Sequence, residues 1–157
     1  MKTLNLSIID SPIGKLSIET SNNQITHIHF CHQNTKTLKS KDSFNQSVLK
    51  ALESFFKKSN NTFDFPLHTK GTEFQQRVWK ALQKIPRGEV RTYQDLANQL
   101  KTSPRAVGNA CRANPIPVII PCHRVVAKNG IGGFSGKTSG SKISIKEWLL
   151  NHERQQT

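Results

Sequence analysis

Long apolar runs are missing from this chain. Nothing in it approaches the roughly 18 consecutive apolar residues of a membrane-spanning helix, and the opening Met1-Lys2-Thr3-Leu4-Asn5-Leu6 is too short and polar for the apolar core of a secretory signal. Neither membrane insertion nor export is expected. Cysteine is scarce as well. The three cysteines, Cys31, Cys111 and Cys122, form no Cys-x-x-Cys and no paired framework, which excludes a disulfide-stapled secreted domain and fits a reducing compartment where a thiol stays free. Acidic residues number only 10 against 23 Lys and Arg. A phosphate loop is not expected either: Gly136-Lys137-Thr138 closes the glycine-rich stretch that starts at Asn129, but Ile131 stands where Gly-x4-Gly-Lys-Ser/Thr requires its first glycine.

The basic excess leaves a formal charge of +13 over 157 residues, and it is uneven. Residues 1–70 carry nine basic against five acidic side chains, whereas residues 71–157 carry fourteen against five. Such a surplus in the second part favours a polyanionic partner, since each Lys or Arg that meets a phosphate releases condensed counterions. A hydrophobic content of 34% supports a modest core in one ordinary domain or two small ones.

Period-two patterning predicts three strands in residues 3–31. Leu4, Leu6 and Ile8 alternate with polar residues, Ser11-Pro12-Ile13-Gly14 is turn chemistry, Leu16 and Ile18 alternate again, and Ser21-Asn22-Asn23 turns the chain before Ile25 to Phe30. His27, His29 and Cys31 share one face of the last strand, but three ligands at i, i+2 and i+4 do not complete a tetrahedral metal site. No metal is expected. From Ser43 a helical stripe of Val48, Leu49, Leu52, Phe55 and Phe56 follows, Phe63 to Leu67 reads as extended, and His68-Thr69-Lys70-Gly71 as a connection.

A capping box, Thr72-Glu73-Phe74-Gln75, opens the next helix, whose stripe runs through Phe74, Val78, Ala81, Leu82 and Ile85 with Trp79 beside it. Pro86-Arg87-Gly88 ends it. Two short helices joined by a tight turn come next: one opens at Thr92-Tyr93-Gln94-Asp95, the other at Ser103-Pro104, a hydroxyl cap followed by proline at the first helical position. This is a helix-turn-helix pattern. Small side chains at Ala106, Gly108 and Ala110, with Asn109, let the second helix come close to a nucleic acid. Arg105 is exposed if Val107 and Ala110 face inward, and the residues alone leave it either a solvated cation or a nucleic-acid contact.

The chemistry concentrates in Ile119-Ile120-Pro121-Cys122-His123-Arg124-Val125-Val126, which an extended, buried Val118-Ile119-Ile120 segment enters. Burial makes a thiol harder to ionise, so Cys122 needs a base. His123 is the candidate, but neighbours on a strand point to opposite faces, so contact demands a local turn or a bridging water. That histidine in turn needs an acid to hold its tautomer, and on the residues alone Glu147 and Glu153 are equally eligible. The final helix is expected over about Ile143 to Glu153, anchored by Ile145, Trp148, Leu149 and His152.

Taken with Gly71-Thr72-Glu73-Phe74-Gln75, Pro86-Arg87-Gly88, Thr92-Tyr93, Arg105-Ala106-Val107-Gly108, Asn114-Pro115 and Lys146-Glu147-Trp148-Leu149-Leu150, the stretch resembles the O6-alkylguanine-DNA alkyltransferases, over roughly residues 71–153. The resemblance implies an α+β chain of two small domains. Residues 1–68 are a ribonuclease-H-like unit of a three-stranded antiparallel sheet with a helix, and residues 69–157 a mainly α unit with a winged-helix-like helix-turn-helix. It also implies direct-reversal repair: irreversible, single-turnover transfer of an alkyl group from O6-alkylguanine, and by extension O4-alkylthymine, in DNA to Cys122. A non-enzymatic helix-turn-helix module that binds DNA or senses lesions is the alternative.

By the same resemblance His123 is the base through a water, Glu153 orients it, and Tyr93 donates a proton to the departing guanine. Asn114, Pro117, Val125, Phe134 and Ser135 line the substrate pocket. Arg105 is the finger that fills the gap in the base stack, with Ala106, Gly108, Asn109 and Arg112 on the DNA. No cofactor and no metal are implied. The partner is double-stranded DNA bearing O6-alkylguanine, approached from the minor groove by a monomer in the cytoplasm, or in the nucleus of a eukaryote. Two departures stand out: the turn between Leu100 and Arg105 is about two residues shorter than in much of the family, and Gly136 to Ser144 is long and rich in Lys and Ser.

Overall fold

The computed structural model describes residues 3–58, 63–132 and 141–155, the last stretch without the side chains of 141–143. It divides into two units, Met1–Thr69 and Lys70–Gln155.

In the first unit β1 (Leu4–Ile9), β2 (Lys15–Ser21) and β3 (Gln24–Cys31) form an antiparallel sheet in the order β1-β2-β3, and α1 (Ser43–Lys58) packs on it. Asn22 and Asn23 both take positive φ, 52° and 57°, the two-residue hairpin geometry that matches strand twist. The buried face of α1 is the expected Val48, Leu49, Leu52, Phe55 and Phe56, with Asn45 added. Asn45 explains why β1 turns over relative to its apolar pattern: Leu4 and Leu6 are exposed, while Ser7 faces inward and donates to Asn45 Oδ1 at 2.6 Å. The Asn45 amide donates onward to Thr20 Oγ1 at 3.0 Å and Asn5 O at 3.2 Å, so this buried polar cluster is satisfied rather than apolar. The extended stretch ends at Leu67, beside β3, where Ile25 N–H donates to Pro66 O and His68 N–H to Ile25 O, both at 2.9 Å.

On β3, the His27 ring stacks on His29 and its Nδ1 lies 2.7 Å from Glu19 Oε2. Among the described residues no three His, Cys, Asp or Glu side chains converge on a metal position.

The second unit begins with α2 (Glu73–Gln83), whose capping box between Thr72 and Gln75 is formed in both directions. Trp79, 2% exposed, is more than a stripe residue: its Nε1–H donates to Ala110 O at 2.9 Å and ties α2 to the third helix of this unit. A second capping box, Thr92 with Asp95, starts α3 (Tyr93–Leu100), and Lys101 closes it in the left-handed region at φ 58°. After this tight turn Ser103 caps α4 (Pro104–Arg112), with Pro104 at its first position and Val107 and Ala110 buried.

Beyond α4 the chain is not extended, as its run of aliphatics had predicted. Residues 114–120 form a compact turn in which Ile120 N–H donates to Ile116 O at 2.8 Å. Pro115 and Pro117 offer no N–H for a strand ladder, and the Asn114 side chain spans the turn instead. A 3-10 turn, Cys122–Arg124, leads into β5 (Val125–Val126), which pairs in parallel with β4 (Arg91–Thr92). The last element is α5 (Ser141–Gln155).

Candidate active site

Cys122 occupies the first position of the 3-10 turn and is 6% exposed. The turn supplies the local bend that a strand would not: it rotates His123 into the interior, where its side chain is fully buried. His123 Nε2 lies 3.0 Å from Glu153 Oε2. Arg124, the next residue, grips the same carboxylate from both sides, Nε–H to Oε1 at 3.0 Å and Nη2–H to Oε2 at 2.7 Å, and sends Nη1–H to Ile85 O at 2.7 Å. Burial alone would raise the Glu153 pKa. The hydrogen bonds from His123 and Arg124 and the positive charge of Arg124 prevail and hold it at about 2, so the carboxylate is ionised at neutral pH.

An ionised carboxylate only accepts. His123 therefore carries its proton on Nε2, donates it to Glu153, and leaves the Nδ1 lone pair as the basic site. Nδ1 is buried and makes no hydrogen bond to the described residues. Burial lowers the pKa of His123, so the imidazole is neutral and able to receive a proton.

The thiol itself is pushed up by burial, with opposing help from an Asn114 hydrogen bond and from the Lys146 ammonium. The Asn114 side chain braces the turn: Nδ2–H donates to Ile120 O at 2.8 Å and Oδ1 accepts Ile116 N–H at 2.9 Å. Ile120 O also accepts the Cys122 N–H at 2.8 Å, so a single carbonyl joins the brace to the cysteine.

Lys146 was not singled out by sequence reasoning, although it is fully buried beside this thiol. Its Nζ donates to Val125 O at 2.6 Å and lies 5.9 Å from the Tyr93 ring centroid. Burial brings its pKa down from 10.5 to about 8, against an upward pull from the thiols of Cys122 and Cys111. Arg124 was missed in the same way. The signal for Lys146 was helical spacing: Lys146, Leu149, Leu150 and Glu153 lie at i, i+3, i+4 and i+7 and, with the expected His152, are the buried residues of α5, while Ile145 and Trp148, also expected as anchors, are half-buried. Lys146 and Glu153 on that face are charged, so an apolar stripe does not reveal it. Glu147, the other eligible acid, is exposed.

Tyr93, at the start of α3, is half-buried. Gly132 has φ 77°, and a Cβ there would come within 3.1 Å of the Tyr93 ring and 3.3 Å of its hydroxyl, so the glycine lets this loop close on the phenol. Pro117 is buried. Both main-chain groups of Val125 are engaged within the protein, the N–H with Cys122 O and the carbonyl with Lys146. Phe134 and Ser135 lie outside the described residues. On α4, Arg105, Asn109 and Arg112 are exposed and Ala106 and Gly108 half-exposed, which sets them on the face opposite Val107 and Ala110.

The second unit thus combines a helix-turn-helix with a buried cysteine next to a hydrogen-bonded His-Glu pair. Two family models match it: the 6-O-methylguanine DNA methyltransferase DNA binding domain over residues 73–155, and the ribonuclease-like domain of the same enzymes over residues 5–69. The methylated-DNA–protein-cysteine methyltransferase of Metallosphaera sedula is 40% identical over 144 residues, covering 91% of this chain and 88% of its own. The constitutive methylated-DNA–protein-cysteine methyltransferase of Bacillus subtilis is 37% identical over 156 residues, 92% of each chain. Among solved structures, the Mycobacterium tuberculosis O6-methylguanine methyltransferase has a TM-score of 0.84 at 34% identity, over 99% of this chain and 95% of that one. The Mycobacterium tuberculosis OGT in complex with DNA has a TM-score of 0.80 at 37% identity, over 96% and 92%. The chain belongs to the 6-O-methylguanine-DNA methyltransferase family.

Proposed function

We propose that this protein repairs alkylated DNA by moving the alkyl group of O6-alkylguanine onto its own Cys122. The observation that carries the assignment is the buried relay in which Arg124 keeps Glu153 ionised, Glu153 holds the Nε2–H of His123, and Nδ1 is left as the base one residue from the thiol.

The steps follow from that geometry. A sulfur that is 6% exposed cannot meet a base inside a stacked duplex, so the lesion must be flipped out of it. Arg105, exposed at the start of α4, occupies the space left behind, and Ala106, Gly108, Asn109 and Arg112 meet the DNA from the minor-groove side. His123 Nδ1 takes the thiol proton through a water. The sulfur lone pair then forms the S–C bond while the C–O6 bond breaks, and its electrons pass into the guanine. Tyr93 delivers the proton that neutralises the departing base, and the thiol proton held by His123 passes back through water to the phenolate, so that the protons balance. Restored guanine and an S-alkylcysteine result, and because a thioether is not hydrolysed, each molecule acts once.

Asn114 sustains the sulfur as negative charge builds on it, and Lys146 adds a cation. By the family resemblance Pro117 and Phe134 serve as apolar walls for the base, and main-chain groups of Val125 and Ser135 read the guanine edge, Val125 through the second lone pair of its carbonyl. Nothing in this scheme uses a metal or cofactor. The reacting species is a monomer on double-stranded DNA. No helix among the described residues is long and apolar enough to cross a membrane.

The test is the intact mass of the protein after mixing with a short duplex carrying O6-methylguanine. A single gain of one methylene mass, mapped to Cys122 and absent in Cys122→Ala, is expected. Tight duplex binding with no mass change would leave a DNA-binding module instead and remove the roles given to His123, Glu153 and Tyr93.

A further inference from the structure

Four non-glycine residues among those described have positive φ, and three sit where a turn or helix end asks for it: Asn22 and Asn23 in the β2–β3 hairpin, and Lys101 at the end of α3. The fourth is Val118, at φ 76° and 1% exposed, four residues before Cys122. A β-branched residue in the left-handed region is a true outlier, because its Cβ crowds its own backbone. Such strain persists only where the surroundings over-determine it.

Those surroundings can be named. Ile116 and Ile120, both fully buried, are fixed anchors at either end of the turn. Asn114 binds the N–H of one and the carbonyl of the other, and Ile120 N–H closes the ring onto Ile116 O. Only residues 117–119 remain to reverse the chain. The Pro117 ring locks its own φ at about −65°, so the reversal falls on Val118, whose buried side chain keeps it from relaxing outward. The product of the reversal is the position of Ile120 O, which receives both Asn114 Nδ2–H and the Cys122 N–H at 2.8 Å each.

We propose that Val118 is a positioning residue for the alkyl acceptor. Its strained backbone, held by its buried side chain, sets Ile120 O and thereby the main chain of Cys122, whose N–H that carbonyl accepts. This deepens the proposed function and rests on it for the identity of the alkyl donor.

The test compares Val118→Gly with Val118→Ala, which differ by one methyl group and lack the isopropyl group alike. Alanine retains the demand for strain at φ 76°, and glycine removes it. V118G is expected to melt a few degrees above V118A, the reverse of the order at an ordinary buried site. It is nevertheless expected to alkylate about tenfold more slowly from the O6-methylguanine duplex. The pH dependence of iodoacetamide labelling at the Cys122 peptide should differ between V118G and V118A, as the main chain that carries the thiol is no longer held in one position. V118A melting above V118G overturns the proposal, and so do two variants with the same labelling profile and the same rate. If wild type takes no alkyl group from the duplex, the functional reading fails; the melting order and the labelling profile then still decide the role of Val118.

Discussion

Glu153 Oε2 stands 3.0 Å from His123 Nε2 and 2.7 Å from Arg124 Nη2, so one carboxylate oxygen orients the base while a guanidinium keeps it charged. The three residues come from two elements, the 3-10 turn and α5, and α5 serves the site at both of its charged buried positions. Replacing Glu153 by Gln keeps the size and removes the charge. The amide can present its NH2 to Nε2, which turns the lone pair of His123 away from Nδ1. Alkyl transfer to Cys122 should fall by about 100-fold, the scale of one general base, as measured by the rate of mass gain on an O6-methylguanine duplex. Unchanged transfer in E153Q would remove His123 as the base.

Lys146 opposes the effect of burial on Cys122 only while it is charged, and its pKa lies at about 8. Lys146→Met keeps the bulk and deletes the charge. Transfer should drop by about tenfold at pH 7, the equivalent of one pKa unit in thiolate population. Above about pH 8 wild type loses the same cation, so the two rates should converge as pH rises to 9.5. A deficit that stays constant across that range would assign Lys146 a packing role only.

Two buried groups make the second unit sensitive to acid, and both act in the same direction. Glu153 has a folded pKa of about 2 against an ordinary 4.5, so its contribution is complete above about pH 4.5 and lost as pH falls through 2. For this fully buried carboxylate the contribution is roughly 3 kcal/mol. His123 is held neutral by burial, with its pKa below the ordinary 6.5, so the unfolded chain binds a proton first and stability begins to decline as pH drops below 6.5. The melting temperature should therefore fall from pH 6.5 downward and more steeply below 4.5. In His123→Asn the upper part of that slope should flatten while the lower part remains. A wild-type melting temperature constant from pH 7 to 4 would contradict the neutral, buried assignment.

Arg105 is exposed and no described hydrogen bond or ion pair involves it, so Arg105→Ala should leave the melting temperature within about 1 °C of wild type, as surface changes do. Reaction with the O6-methylguanine duplex should slow by at least tenfold, because nothing then fills the vacated stack. Reaction with free O6-benzylguanine, which needs no flipping, should be unaffected. Equal losses on both substrates would move Arg105 out of the DNA contact and into the pocket.

Local signals carried a large share of this structure in the sequence. The Thr72/Gln75 box, the Ser103-Pro104 start and the two asparagines of the hairpin each depend on residues within three or four positions of one another, and each formed as its side-chain chemistry requires. The helix-turn-helix follows from the same local rules. What misled was hydrophobic pattern where a polar group is the buried one. Leu4 and Leu6 lie outside because Ser7 has a partner in Asn45, 38 residues away. Ile145 and Trp148 looked like anchors of α5 because the true face includes Lys146 and Glu153.

The sequence by itself determined the three strands of the first sheet, the helices, the family to which the chain belongs, and the residue types that meet at the site, since these depend on near neighbours and on motif order. Only the tertiary structure decided how they are used. Whether Glu147 or Glu153 serves His123, whether Lys146 is solvated or buried against a thiol, and whether residues 118–120 are a strand or a strained turn all depend on partners more than 20 residues apart or on a brace such as Asn114. A buried charge is tolerated only where distant groups satisfy it, and no local pattern contains those groups.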